Sequence, residues 1–358
     1  MDLFNVRDYL DEARKESNEE SEIQRFYANK TIFITGASGF VGTLVLEKLL
    51  RTCKDLHKVY VLFRSSRQKN IHERLVAYFN DPVFYRMKTE NPTYFTQVTC
   101  VQGDLSLDQL GLSAEDRQVI VDNTQVILHV AATVKFNEQL ADAYNINVKG
   151  TKSLIHMAEH MKQLHSFVYV STAYSNCDSK HIEEKFYDPV FSDEETVTVL
   201  QHSQRDEQAI ILPHILGLFF SMAERYLNRE PMIMKIYRKL FFLYKTVRYF
   251  VFNDWSFTND NTKSLLLQLN TRDRELFDFN MASFDWHNYY SVLYRSSGVY
   301  ILKAYTNKDN YYPKEMYKRK MKYIEPIDRA IIWIFWLAAV CLSYNVFRVT
   351  FLSLISYL

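Results

Sequence analysis

The chain has 358 residues, of which 47% are hydrophobic and 24% charged, so it is long enough for one large domain or two smaller ones and too apolar to be disordered throughout. Its 43 basic and 42 acidic residues leave a net charge of +1, which gives no footprint of a general nucleic-acid binder. The four cysteines lie far apart without a CxxC pair. Neither a disulfide framework nor a metal site is therefore predicted, and a reducing compartment is favoured.

The first 27 residues are predicted to form a charged N-terminal arm, because they contain many charges and no apolar run typical of a secretory signal peptide. From residue 28 to 217, short apolar runs alternate with helix-length segments such as Val41–Arg51 and Asn137–Met161. The runs are continuous rather than alternating, which is typical of strands buried on both faces. The predicted strands are Thr31–Thr35, Lys58–Phe63, Thr96–Gln102, Gln125–Val130 and Ser166–Val170. This pattern predicts an α/β fold with a Rossmann-like, doubly wound parallel sheet.

The pattern changes after this region, and residues 218–310 are predicted to form a small helical C-terminal domain. It contains a basic, aromatic helix at 222–252 and short helices over 259–279, with Asn270, Thr271 and Asp273 as candidate cap residues. Residues 330–347 hold no charge for 18 positions, so 330–358 is predicted to be a transmembrane or membrane-anchoring tail. Lysines and arginines just before the tail favour a cytosolic side. A buried amphipathic tail helix is the alternative.

Three of the eight glycines fall within seven positions, in the segment that follows the first predicted strand and opens the next helix. Gly36 allows a tight turn, Gly39 lets backbone amides approach a pyrophosphate, and Gly42 lets the helix pack closely on the strand. The phosphates would lie at the positive end of the helix dipole. This segment therefore predicts a dinucleotide site that uses Thr35, Gly36, Ser38, Gly39, Phe40, Val41 and Gly42.

The end of the second predicted strand selects the dinucleotide. Arg64 lies there, 22 positions after Gly42 and with no acidic residue nearby, so NADPH is predicted, its 2′-phosphate paired with the guanidinium. Asp104, followed by Leu105, ends the third strand and can accept from the adenine amino group. The fourth strand ends in small residues that leave room for the cofactor, namely Ala131, Ala132 and Thr133.

Several motifs together resemble the extended short-chain dehydrogenase/reductase group. They are the TGxxGxxG pattern, Gly103–Leu105, His129–Phe136, Asn147–Thr151 and Val170–Tyr174. Within that group, five stretches are similar to the alcohol-forming fatty acyl-CoA reductases, especially insect ones. They are residues 30–51, 171–177, 180–187, 219–240 and 255–290. The resemblance covers nearly the whole chain after residue 25.

The resemblance implies that a long-chain acyl-CoA receives two hydrides from NADPH and leaves as a primary alcohol. It also implies a catalytic Thr172, with Ser171 beside it, and a tyrosine followed four positions later by a lysine on the same helical face. No tyrosine in this sequence has a lysine at that offset, and Tyr174 is followed there by Asp178. By comparison with the family, the Tyr/Lys helix and a sixth strand should follow Leu212–Gly217. In this sequence the helical C-terminal domain begins at residue 218 instead, so the Tyr/Lys helix and the sixth strand are missing. The sheet is therefore expected to stop at about five strands.

Two explanations stay open: a shortened isoform or faulty gene model of a working reductase, or a stable protein without the reaction. Loss of a general acid costs on the order of 10² to 10⁴ in rate, so little or no reductase activity is expected. One alternative function is an inactive, membrane-tethered NADPH-binding protein that pairs with a full-length paralogue or with itself. Another is a sugar-nucleotide epimerase or dehydratase. The expected location is the cytosolic face of the endoplasmic reticulum or the peroxisome.

Overall fold

The computed structural model describes residues 20–64, 70–135, 138–189 and 247–296, together with residues 192, 195, 196, 198, 241, 244 and 329. Several predicted features lie outside these residues, namely Leu212–Gly217, most of the helix at 222–252 and the tail at 330–358. The chain divides by its contacts between Phe279 and Asn280 into two units.

A five-stranded parallel sheet forms the centre of the first unit, in the order β3-β2-β1-β4-β5. The strands are β1 Thr31–Thr35, β2 Lys58–Phe63, β3 Val98–Gln102, β4 Val126–His129 and β5 Ser166–Tyr169. The predicted α/β class and the sheet of five strands are confirmed. Because the strand order reverses between β1 and β4, the carboxyl ends of these two strands border a crevice, where ligands of this fold class bind.

Helices connect the strands and cover both faces of the sheet. They are α1 Glu22–Tyr27, α2 Phe40–Thr52, α3 Ile71–Phe79, α4 Tyr85–Glu90, α5 Tyr94–Gln97, α6 Ala114–Asn123, α7 Leu140–Tyr144 and α8 Gly150–Ala158. A π-helical turn, Asn145–Lys149, joins α7 to α8. The predicted helix Asn137–Met161 is therefore shorter than expected and changes its hydrogen-bond pattern in the middle.

Two hydrophobic clusters lie on opposite faces of the sheet. Ile32 and Ile34 of β1 belong to the first cluster, together with buried residues of α2, α3 and α4. Phe33, between them, points to the second cluster, where it meets Ile120 of α6 and Leu154 of α8. All five of these side chains have no exposed surface. Burial on both faces explains why the strands read as unbroken apolar runs in the sequence.

The C-terminal part of the first unit adds a two-stranded parallel pair that the sequence analysis did not predict. The further elements are β6 His181–Ile182, β7 Ser256–Phe257, α9 Asp260–Gln268 and α10 Thr271–Phe277. Asn270 caps α10 by accepting from the backbone N–H of Asp273 at 2.7 Å, as expected.

Asp273 does not cap a helix of its own segment. Its carboxylate accepts hydrogen bonds from the hydroxyl of Ser21 and from the backbone N–H groups of Glu22 and Ile23, at 3.2 and 3.3 Å. It therefore caps α1, about 250 residues earlier in the chain. Ser21 is 4% exposed, so residues 21–27 dock on the unit instead of projecting as an exposed arm.

The described part of the second unit contains a 3₁₀ turn, Met281–Ser283, and the helix α11, Trp286–Ser296. Aromatic rings meet there, with the centroid of Phe284 at 5.0 Å from that of Trp286. Within the described ranges, no helix has both the length and the apolar character that crossing a bilayer requires.

Candidate functional site

The glycine segment forms a tight turn from the end of β1 to the start of α2. Gly36 has a φ of +76°, which L-residues rarely adopt, and its carbonyl accepts from the N–H of Gly39 at 2.9 Å. A Cβ on Gly36 would lie 2.5 Å from the backbone nitrogen of Ala131, and a Cβ on Gly42 would collide with the Gly36 carbonyl. Backbone packing therefore requires glycine at both positions.

A tyrosine of α3 supports this turn from behind. The hydroxyl of Tyr78 donates to the carbonyl oxygen of Ala37 at 2.6 Å and lies 3.2 Å from the hydroxyl of Thr43. Burial raises the pKa of Tyr78 to about 12, so the phenol keeps its proton and remains a donor at physiological pH.

The first turn of α2 offers its backbone amides to the crevice. Gly39 is the N-cap residue, and no side chain accepts a hydrogen bond in its place. Phe40 and Val41, the first two helical residues, are 83% and 47% exposed. The positive end of this 13-residue helix, which has no side-chain cap among the described residues, is suited to an anion such as a pyrophosphate.

A cavity of about 290 Å³ opens beside the glycine turn, and the ends of β1, β2, β3 and β4 meet there. Its lining consists of Gly36, Ser38, Gly39, Leu62, Arg64, Arg74, Gly103, Asp104, Leu105, Val130, Ala131, Ala132 and Ile146. Eight of the predicted cofactor residues thus come together around one space. The other predicted residues lie outside the lining, namely Thr35, Phe40, Val41, Gly42 and Thr133.

Arg64 and Asp104 meet at this cavity. The Nε of Arg64 lies 3.4 Å from a carboxylate oxygen of Asp104, and the Arg64 side chain is 58% exposed. The other oxygen of Asp104 accepts from the backbone N–H and the hydroxyl of Ser106, at 2.9 and 2.8 Å. Asp104 thereby fixes the loop after β3 and holds the guanidinium of Arg64 at the cavity, accessible to an anion.

The sequence analysis missed a second arginine, Arg74 of α3. Its guanidinium carbon lies 5.3 Å from the ring centroid of Phe63, and its buried Nη1 has no hydrogen-bond partner among the described residues. Arg74 lines the cavity together with Arg64, and two guanidinium groups around one space are suited to an anionic ligand. The capping box of Asn70 and Glu73, which starts α3, was the available sequence signal for placing Arg74 in a first helical turn.

The loop after β4 is held by a side chain of the π-helical turn. Asn147 donates from its amide nitrogen to the carbonyl of Thr133 at 3.1 Å and accepts from the Thr133 backbone N–H at 2.8 Å. This pair of hydrogen bonds fixes the loop Ala131–Thr133 against the helical layer.

Ser171 and Thr172, the predicted catalytic residues, follow β5 and are exposed. The hydroxyl of Thr172 accepts from the backbone N–H of Tyr174 at 3.2 Å. Neither residue lines the cavity, although Val170 hydrogen-bonds to the end of β4, which borders it. The Tyr174 ring packs at 5.0 to 5.9 Å, centroid to centroid, against the rings of Phe250, Trp255 and Phe257.

A parallel sheet with a glycine turn where the strand order reverses defines a Rossmann-like α/β protein. The chain belongs to the male sterility protein family, since two family profiles of that description match residues 34–212 and 212–304. The resemblance inferred from the motifs is thereby confirmed.

The curated relatives include "Fatty acyl-CoA reductase wat" of Drosophila melanogaster, which is 44% identical over 176 residues, or 49% of this chain and 34% of the relative. "Fatty acyl-CoA reductase 1" of Homo sapiens is 39% identical over 195 residues, or 54% of this chain and 38% of the relative. The matched part thus spans less than two-fifths of either relative. Among solved structures, the terminal R domain of the myxalamid PKS-NRPS pathway matches 41% of this chain and 35% of its own, with 29% identity and a TM-score of 0.35.

Proposed function

We propose that this chain is an NADPH-binding member of the alcohol-forming fatty acyl-CoA reductases, which convert a long-chain acyl-CoA to a primary alcohol. The names of its relatives support the substrate class. The observation that carries the cofactor is that two arginine side chains, Arg64 and Arg74, line one cavity together with the glycine turn. NADPH supplies the hydride for such a reduction.

Each part of the cavity has a role in this proposal. The amides of Phe40 and Val41 hold the pyrophosphate, and the two arginines hold the 2′-phosphate. Asp104 and Leu105 border the adenine, and the small residues after β4 leave room for the ribose and nicotinamide. Because any Cβ on Gly42 would collide with the backbone of Gly36, the glycine turn has no room for a side chain at position 42.

The reduction itself needs a hydrogen-bond donor for the negative charge that develops on the carbonyl oxygen. Thr172 and Ser171 are the candidate donors of this chain. The sequence contains no tyrosine with a lysine four positions later. We therefore expect NADPH binding with little or no reductase turnover, about 10² to 10⁴ below a working enzyme.

The test is to incubate the purified full chain with NADPH and a C16–C18 acyl-CoA, beside the Drosophila relative, and to measure both NADPH oxidation and fatty alcohol. Saturable NADPH binding with at most trace alcohol is expected. Alcohol formation at the relative's rate would disprove the inactivity. Thermal shifts with long acyl-CoA and with UDP- or GDP-sugars then discriminate a lipid from a sugar substrate; stabilisation by the sugar nucleotides alone would favour an epimerase or dehydratase.

The sheet edge favours a second candidate, an inactive NADPH-binding protein that pairs with a longer paralogue or with a second copy. Val168, Tyr169 and Val170 are 40 to 46% exposed, and β5 pairs with β4 alone among the described strands. Such an edge can accept a further strand. Co-purification of the paralogue would support this candidate, a larger mass for the isolated chain would indicate a homo-oligomer, and a lone monomer would contradict both.

We also propose that residues 330–358 attach the protein to the cytosolic face of the endoplasmic reticulum or the peroxisome. The uncharged run and the basic residues before it support this location. Fractionation and imaging of the chain with and without residues 330–358 test it. A full chain that stays in the soluble fraction would contradict it.

A further inference from the structure

A buried histidine connects the glycine turn to the helical layer. His129, the last residue of β4, has no exposed surface. Its Nδ1 lies 2.6 Å from the hydroxyl of Thr35, at the end of β1, and its Nε2 lies 2.9 Å from the hydroxyl of Thr151, in α8. The ring of Tyr169 stacks on it at 5.2 Å. The imidazole is therefore held between two hydroxyls, and the next residue, Val130, lines the cavity.

The proton positions in this arrangement follow from its two ends. The hydroxyl of Thr151 donates to the backbone carbonyl of Asn147 at 2.7 Å, so its oxygen can only accept from the imidazole. Nε2 of His129 must therefore carry the proton, and Nδ1 must accept from the hydroxyl of Thr35. The oxygen of Thr35 in turn accepts from the N–H of Ala131 at 3.4 Å. The four hydrogen bonds thus run in one direction, from the N–H of Ala131 through Thr35, His129 and Thr151 to the carbonyl of Asn147.

Both ends of this chain of hydrogen bonds act on the cavity. Ala131 lines it, and its backbone nitrogen is the atom that a Cβ on Gly36 would strike. Asn147 holds Thr133, at the other end of the same loop. A shift of the imidazole would therefore move the wall that faces the glycine turn.

We propose that His129, as the neutral Nε2–H tautomer, is a positioning residue that sets the distance between the glycine turn and the loop Ala131–Thr133. The expected effect on NADPH binding rests on the proposed function, whereas the direction of the hydrogen bonds around His129 can be measured in the chain without cofactor. Burial lowers the pKa of His129 to about 4, so the ring is neutral at physiological pH. The two hydroxyls then select between its tautomers.

The direct test is nitrogen NMR of the cofactor-free full chain labelled at histidine. At pH 7 the His129 ring should show a protonated Nε2 and a bare Nδ1. The opposite tautomer, or a mixture of the two, would overturn the proposal. Because this measurement needs no cofactor, it still decides the matter if the unsubstituted chain fails to bind NADPH, a result that would disprove the proposed function instead.

Substitutions test the effect on the cavity. His129→Leu has a similar volume but removes the acceptor for the Thr35 hydroxyl and the donor to the Thr151 oxygen, and we expect it to weaken NADPH binding about tenfold or more. His129→Gln offers one acceptor and one donor, and should bind within about threefold of the unsubstituted chain. Thr151 does not line the cavity, yet Thr151→Val should also weaken NADPH binding. Ser153→Ala, on the same helix, should leave NADPH binding unchanged.

A purely structural role would give a different result. Folding is checked by circular dichroism and by the melting temperature. If His129→Leu melted earlier but bound NADPH as tightly as the unsubstituted chain, the positioning role would be wrong. The same holds if His129→Gln, although folded, bound as weakly as His129→Leu.

Discussion

In the proposed function, Arg74 helps to discriminate NADPH from NADH by binding the 2′-phosphate. A charge-assisted hydrogen bond contributes about 1.5–3 kcal/mol, so Arg74→Met should raise the Kd for NADPH about 10- to 100-fold and change that for NADH little. Fluorescence titration measures both constants. Arg86→Met is the matched control, since its guanidinium is paired with Glu90 at 2.6 Å on α4. An equal loss for both dinucleotides would refute a 2′-phosphate contact.

His129 makes stability depend on pH. Its pKa is about 4 in the folded chain and about 6.5 when unfolded, so between these values the unfolded state binds the proton more readily. The free energy of unfolding should therefore fall as the pH falls through this window, by about 3 kcal/mol in total, and this contribution should be constant above pH 6.5. Urea unfolding at several pH values, with His129→Gln, isolates it. The exposed His156 offers the control His156→Gln; an unchanged slope in His129→Gln would contradict the assignment.

At the scale of elements, α2 packs so closely on the glycine turn that Gly42 has no room for a Cβ. Gly42→Ala places a methyl group against the Gly36 carbonyl, whereas the Cβ of Gly39→Ala would lie 3.2 Å from the same oxygen. We expect Gly42→Ala to lower the free energy of unfolding by at least about 1–3 kcal/mol, and Gly39→Ala to lower it clearly less. Denaturant unfolding compares the two. Equal losses would show that α2 can shift to accommodate the methyl group.

The strands were predictable because burial on both faces leaves an unbroken apolar run, and β1 and β2 match their predicted bounds to the residue. The pair of strands β6 and β7 was not predictable, since each strand has only two residues and therefore shows no periodicity. Arg74 escaped notice because its role depends on the way α3 folds back over β2, which is a tertiary arrangement. The π-helical turn Asn145–Lys149 was hidden because the helical periodicity continues through it.

At the scale of the whole molecule, the N- and C-terminal parts of the first unit depend on each other. Asp273 caps α1, Phe277 packs against the first hydrophobic cluster, and the ammonium of Lys48 donates to the carbonyl of Leu276. The family profiles meet at residue 212, but the contacts divide the chain only after Phe279. The helical segment up to Phe279 is thus part of the folded sheet domain and stabilises it.

Asp273→Ala tests this dependence, because it removes the acceptor for two backbone amides and a buried hydroxyl while leaving the sheet untouched. Loss of a cap and of a charged acceptor should lower the free energy of unfolding by about 1–3 kcal/mol. The first unit should still unfold in a single transition, at a lower denaturant concentration. Asp260→Ala, whose exposed carboxylate pairs with Lys263 at 3.5 Å on α9, should change stability by less than about 0.5 kcal/mol. A separate early transition for residues 256–277, followed by unfolding of the sheet at its original midpoint, would show that the segment is not part of the same cooperative unit.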